Sequence, residues 1–374
     1  MRITNATALY PDGSLRPADL TLADGKIAAL STPSGAPGDF DASGCYVTPG
    51  LVDIHIHGVM GDDTCDGTSE ALDTMCAYLG SQGVTSFLGT TMALGEDTLT
   101  AILSTVRGKV GKEGLGSVLR GVNLEGPFFN IEKKGAQNGA FIRDPNFEIF
   151  LRLWEESGHS IKLLDVAPEL PGALSFIEAA SKLCTVSIAH TCADYDQAAA
   201  AFQAGASHVT HLFNAMPAFS HRAPGVVGAA AEYAEHAEVI SDGIHLHPSV
   251  VRNAFRWFGN ERICLISDSM RACGMPNGEY DLGGQAVFVT DGKATLKDGT
   301  IAGSSTSLAE CMRRAISFGI PLNDAFMAAT ANPAKATGLD GELGLLKTGY
   351  RADLVAWDKE TLQPKLILVG GKQI

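Results

Sequence analysis

His55 and His57 stand two residues apart in the apolar run Leu51–His57, and the two-residue period of a strand places both side chains on one face. Other side chains able to bind a metal or move a proton recur at the ends of later apolar runs. Glu125 closes Val118–Glu125, His190 closes Thr185–His190, His211 lies near the end of Ser207–Leu212, and Asp268 closes Ile263–Asp268. Each has an ordinary explanation when taken alone. An HxH pair in a strand is commonly two hydrogen-bonded histidines, Glu-Gly-Pro is a turn, and an aspartate after a strand caps the next segment. Gathered at five strand ends, they form a set of imidazole and carboxylate donors suited to one or two divalent ions, zinc first, with iron, manganese or cobalt as alternatives. No cysteine joins the set, so a closed structural zinc site is not indicated, and open positions leave room for the water that hydrolysis needs. His159, His208, His221, His236 and His247 close no strand and are expected to be surface or packing residues.

The elements that must hold these groups alternate along the chain. The runs Leu51–His57, Val84–Thr90, Val118–Glu125, Ile161–Ala167, Thr185–His190, Ser207–Leu212, Ala237–Asp242 and Ile263–Asp268 read as strands. Helical patterns between them cover Ser69–Gln82, Asp97–Val106, Leu174–Leu183, Tyr195–Ala204 and Pro248–Trp257. Eight strand–helix units predict an α/β protein, a (β/α)8 TIM-like barrel, in preference to an open doubly wound sheet, and a barrel carries its reactive residues at the carboxyl ends of its strands. Tyr280–Ile301 predicts a hairpin inserted after the last barrel strand. Residues 1–49 and 340–374 read instead as short strands and turns, each too small for its own core. They are expected to form one small β-sandwich domain from both termini, flanking a catalytic barrel over 50–339.

Composition narrows the function. With 28 basic and 42 acidic residues the net charge is −14, which argues against nucleic acid or an anionic membrane as partner. A phosphorylated metabolite remains compatible, because one arginine can bind a phosphate locally. No apolar run reaches the roughly 18 residues of a membrane span, and no apolar leader opens the chain. The eight cysteines are scattered without a CxxC pair, as expected of a protein of the reducing cytoplasm.

The chain resembles the amidohydrolase superfamily, in the branch that deacetylates N-acetylated amino-sugar phosphates. The resemblance runs through Pro49-Gly50-Leu51-Val52-Asp53-Ile54-His55-Ile56-His57-Gly58, Leu124-Glu125-Gly126-Pro127-Phe128 and Ala189-His190-Thr191. It continues in Thr210-His211-Leu212-Phe213-Asn214-Ala215-Met216-Pro217, Ser241-Asp242-Gly243-Ile244-His245, Ser267-Asp268-Ser269-Met270, Asn332-Pro333-Ala334-Lys335 and Ala352-Asp353-Leu354. The opening HxH is shared across the superfamily; the Leu-Glu-Gly-Pro, His-Leu-Phe-Asn-Ala-Met and Asp-Gly-Ile-His blocks together mark the branch. The resemblance implies deacetylation of N-acetyl-D-glucosamine 6-phosphate, with Glu125, His190 and His211 around a principal metal and His55 and His57 around a second. Asp268 is implied as general base and then acid, also adjoining the metal, and His245 as a contact to the substrate carbonyl. Asn214, Ala215 and Arg222 are implied to bind the phosphate, Gln137 and Gly126 to line the sugar site. In relatives the arginine reaches the neighbouring subunit, which implies a homodimer.

Two positions depart from the branch's pattern. Its usual Gly-Ala-His reads Gly135-Ala136-Gln137, and its Arg-Glu-Pro-Gly reads Arg222-Ala223-Pro224-Gly225. Glutamine still donates and accepts hydrogen bonds, but the substitution leaves N-acetylgalactosamine 6-phosphate as a rival substrate. Cyclic amidases of the superfamily bridge two metals through a lysine at the end of the fourth strand, where this chain has Ala167-Pro168-Glu169. A noncatalytic scaffold is expected to have lost ligands or the base, and all six are present.

Overall fold

A computed structural model describes residues 1–374. Eight parallel strands form the barrel: β1 (Leu51–Ile56), β2 (Val84–Thr90), β3 (Val118–Leu124), β4 (Ile161–Val166), β5 (Thr185–Ile188), β6 (His208–Val209), β7 (His236–Ile240) and β8 (Ile263–Ile266). Ladders join them consecutively from β1 to β8. Between β8 and β1 side chains take over part of the closure. The Asp53 carboxylate accepts the Ser267 amide at 3.3 Å and its hydroxyl at 2.5 Å, and the Asp268 amide donates to the His55 carbonyl at 2.9 Å. Burial pushes the Asp53 carboxyl up to about 7.

A helix follows every strand: α1 (Ser69–Ser81), α2 (Glu96–Lys109), α3 (Phe147–Glu156), α4 (Ala173–Ala180), α5 (Tyr195–Ala204), α6 (Gly225–Tyr233), α7 (Pro248–Phe258) and α8 (Leu308–Ser317). Local signals set their ends. Thr68 caps α1, an Asp194–Gln197 capping box opens α5, and Pro248 takes the first turn of α7, where its missing N–H costs nothing. The sequence reading omits α3, α6 and α8. Helices and strands enclose a core of 63 buried residues. No helix is long and apolar enough to cross a membrane.

The chain termini, expected to form one small β-sandwich domain together, do pair with each other, and their strands make one eight-stranded sheet. Its order runs Lys372–Gln373, Pro364–Val369, Leu354–Asp358, Cys45–Pro49, Arg2–Leu9, Leu15–Ala23, Lys26–Ser31, with Phe40–Asp41 beside Arg2–Leu9. It has its own cluster of 16 buried residues, while Val355, Trp357 and Ile367 join the barrel core. The inserted segment is a three-stranded antiparallel sheet, Gly278–Leu282, Gln285–Thr290 and Lys293–Thr295, so the expected hairpin gains a third strand.

Candidate active site

The four residues expected as ligands or base at later strand ends lie one to two residues beyond their ladders, where the chain turns over the barrel mouth. His190, His211 and Asp268 all adopt left-handed backbone, with φ of 45°, 31° and 46°. That region is sparsely populated for residues with a Cβ, and such strain concentrates at functional sites. It also explains why the sixth strand, expected over Ser207–Leu212, is laddered only at His208–Val209.

The side chains converge. His190 Nε2 and His211 Nε2 lie 3.1 and 3.3 Å from Glu125 Oε1, and 3.1 Å from each other. His57 Nε2 is 3.4 Å from Glu125 Oε2 and 3.4 Å from Asp268 Oδ1. His55 Nε2 stands 3.6 Å from both Glu125 Oε1 and Asp268 Oδ1. All six residues are buried. The donor atoms fall into two triads, His55–His57–Glu125 and Glu125–His190–His211, that share the glutamate.

This arrangement fits a divalent cation. Lys133 O accepts a hydrogen bond from His190 Nδ1 at 2.8 Å, which turns the lone pair of His190 Nε2 toward Glu125. His55 Nε2 is buried, has no hydrogen-bond partner and faces the carboxylates, as an imidazole ligand should. Electrostatics agree. Burial pushes the Glu125 carboxyl up, but the four surrounding histidines, His190, His211, His55 and His57, outweigh it and hold it well below the usual carboxylate range. Asp268 is likewise lowered against its burial by His55 and His57.

His57, Glu125, His190, His211 and Asp268 line a cavity of about 540 Å³. Asn214, Ala215 and His245 line it with Glu125, His190, His211 and Asp268, and the insert contributes Leu282, Asp298 and Thr300. Lys133 and Lys134 add positive charge. His245 is held by Asp242, whose carboxylate takes its Nδ1 at 2.8 Å and its backbone amide at 2.8 Å, leaving Nε2 as the ring's free nitrogen. Burial raises the Asp242 carboxyl, and the His245 contacts bring it below its ordinary value.

Two residues expected to bind substrate do not line this cavity. Arg222 is exposed in the turn Ser220–Ala223. Gly126 (φ 98°) lies so close to Ala93 that an added Cβ would come within 3.0 Å of its Cα, so it serves close backbone approach. Gln137 does line the cavity, but its amide is already engaged. Oε1 accepts the Ala93 amide at 2.7 Å and Nε2 donates to Glu125 Oε2 at 2.7 Å. The Ala93 donor fixes which end of the amide is which. Sequence reasoning missed Asp242 as the support of His245 and Glu238, a fully buried acid in the middle of β7. Its signal was an acidic residue inside an apolar strand, which has no place against the helix layer. Of the demoted histidines, His208 and His236 are buried, His159 stacks on Trp154, His247 caps α7, and His221 is exposed.

An eight-unit barrel with these donors at its carboxyl end defines a hydrolase scaffold, and the amidohydrolase family model matches residues 46–374. The chain belongs to the amidohydrolase family. The N-acetylglucosamine-6-phosphate deacetylase of Lysinibacillus sphaericus is 36% identical over 374 residues, covering 98% of this chain and 96% of that one. The N-acetylgalactosamine-6-phosphate deacetylase of Escherichia coli O157:H7 is 34% identical over 353 residues, covering 94% and 93%. Among solved structures, an aspartate-to-alanine variant of the Mycobacterium smegmatis N-acetyl-D-glucosamine-6-phosphate deacetylase, in complex with N-acetyl-D-glucosamine-6-phosphate, superposes with TM-score 0.93 at 32% identity, covering 100% of this chain and 98% of that one.

Proposed function

We propose that this chain hydrolyses the acetamide of N-acetyl-D-glucosamine 6-phosphate to acetate and D-glucosamine 6-phosphate. The observation that carries this reading is Asp268, a buried carboxylate 3.4 Å from His57 in the paired triads that share Glu125, lining a cavity bordered by His245 and Asn214. Relatives named for this activity match over nearly the whole chain.

An amide is a poor electrophile with a poor leaving group, so both ends need help. A divalent cation held by Glu125, His190 and His211, with a second at His55 and His57, would supply Lewis acidity to the water and the acetyl oxygen. Asp268 accepts the proton of the attacking water as the C–O bond forms. It returns that proton to the sugar nitrogen as the C–N bond breaks, acting first as base and then as acid. His245, its other nitrogen fixed by Asp242, holds the acetyl oxygen through Nε2 as negative charge develops there. Asn214 and Ala215 border the phosphate end. Arg222, outside its own cavity, reaches the phosphate in the neighbouring subunit of a homodimer.

The galactosamine epimer is the second reading, favoured by the 34% identical Escherichia coli relative. Acetate release from both N-acetylhexosamine 6-phosphates and their unphosphorylated sugars tests the assignment. The gluco-configured phosphate should give the highest kcat/KM. Higher kcat/KM for the galacto epimer would reassign the substrate, and no preference for phosphate would remove the phosphate site.

A further inference from the structure

Three buried acids, Asp53, Asp165 and Glu238, project from the barrel strands without belonging to either triad. Asp53 closes the barrel, and Asp165 accepts Thr210 Oγ1 at 2.7 Å. Glu238 alone touches a candidate ligand side chain. It sits on β7, 183 residues from His55 on β1, yet its Oε2 lies 2.9 Å from His55 Nδ1. The two strands are not neighbours, so the contact crosses the barrel interior.

We propose that Glu238 is the positioning residue that makes the His55–His57 side of the cluster a cation subsite, by fixing which nitrogen of His55 faces Glu125 and Asp268. The inference rests on the reading of His55 and His57 as ligands. The geometry leaves one hydrogen-bonding pattern. Glu238 Oε2 also accepts the backbone N–H of His211 at 3.0 Å, so it is an acceptor there, and His55 Nδ1 must be the donor. Protonation at Nδ1 leaves the Nε2 lone pair free. That atom is fully buried, has no other partner, and lies 3.6 Å from Glu125 Oε1 and from Asp268 Oδ1. With no acceptor at Nδ1, the proton can sit on Nε2 and the ring would turn an N–H toward the ion. A carboxylate behind a ligating imidazole has this orienting effect generally, and its loss weakens metal binding about 10- to 100-fold. The carboxylate also faces His208, whose Nε2 is 4.0 Å from Glu238 Oε1 and whose Nδ1 is 3.0 Å from Ser187 Oγ. His208 makes no bond to either oxygen of Glu238 that would replace the one to His55.

The test uses full-length protein stripped of metal and titrated with manganese(II), counting ions per subunit and recording the electron paramagnetic resonance signal of a coupled manganese pair. Wild type should take up two ions and show the coupled signal. Glu238→Met should retain one ion and lose the coupled signal, its second ion binding about 10- to 100-fold more weakly. Glu238→Gln should keep two ions, because one amide oxygen can replace Oε2 and accept from both His55 Nδ1 and the His211 amide. Two ions at wild-type affinity in Glu238→Met would overturn the proposal. Loss of both ions would also overturn it, since Glu238 would then act through the His211 backbone on the whole site. One ion in wild type would remove the His55–His57 subsite itself, while acetate release by that same protein would leave the proposed activity standing. Should Glu238→Met fail to fold, the nitrogen-15 spectrum of zinc-loaded wild type decides. His55, assigned through His55→Asn, should be protonated at Nδ1, and protonation at Nε2 would overturn the proposal.

Discussion

Replacing Gln137 by alanine separates two roles for a residue that lines the cavity yet hydrogen-bonds away from it. Its Nε2 donates to Glu125 Oε2 at 2.7 Å, and its Oε1 accepts the Ala93 amide at 2.7 Å, with Gln137 itself 2% exposed. A buried hydrogen bond to a charged group contributes about 1.5–3 kcal/mol, and stranding the Ala93 N–H costs about 1–3 kcal/mol more in fold stability. Only the first bears on the cluster. It keeps Glu125 oriented with Oε1 toward His190 and His211, so its loss should weaken binding of the principal ion about 10- to 150-fold. Chelator competition on wild type and Gln137→Ala measures this, and KM on fully metal-loaded protein measures the sugar contact. We expect metal affinity to fall by that factor while KM on loaded protein changes less than about threefold. A large rise in KM with metal affinity unchanged would instead make Gln137 a sugar contact.

Asp268→Asn should keep substrate binding and lose about a thousandfold or more in kcat, because base and acid are both removed; a loss below about tenfold assigns the proton to another group. Arg222→Ala should raise KM for the phosphorylated substrate about 10- to 1,000-fold and spare the unphosphorylated sugar, whereas equal losses on both would make Arg222 structural. Asp242, lowered in the folded chain from its ordinary 3.8, contributes stability that is present above the unfolded value and lost as pH falls through the folded one. Asp242→Asn should therefore be less stable than wild type at pH 7 in denaturant unfolding, and the gap should narrow in acid. A gap independent of pH would rule out the charged contact with His245 as its source.

The ends of the barrel strands were legible because apolar runs stop where the chain turns inward, and Glu125, His190, His211 and Asp268 mark those turns. What the linear pattern hides is the support behind these groups. Glu238 and His55 are 183 residues apart, and no local periodicity connects the middle of one strand with a strand two places round the barrel. Gln137 looks like a sugar contact until the Ala93 amide, 44 positions away, is seen to occupy its oxygen. Helix α3 went unread because a long segment after Glu125 carries the cavity wall, Lys133 to Gln137, before the helix of that unit begins at Phe147. Arg222, expected at the neighbouring subunit's site, lies exposed in the turn Ser220–Ala223, outside the cavity of its own chain.

The cluster is proposed to bind a divalent ion and to use it in releasing acetate from N-acetyl-D-glucosamine 6-phosphate. Acetate release from that substrate, followed while zinc is returned stepwise to metal-stripped protein, tests it most directly. The rate should be negligible without metal and rise with zinc occupancy, with His190→Asn failing to recover over the same range. Undiminished acetate release by the stripped protein, or none by wild type with its sites filled, would contradict metal-dependent deacetylation.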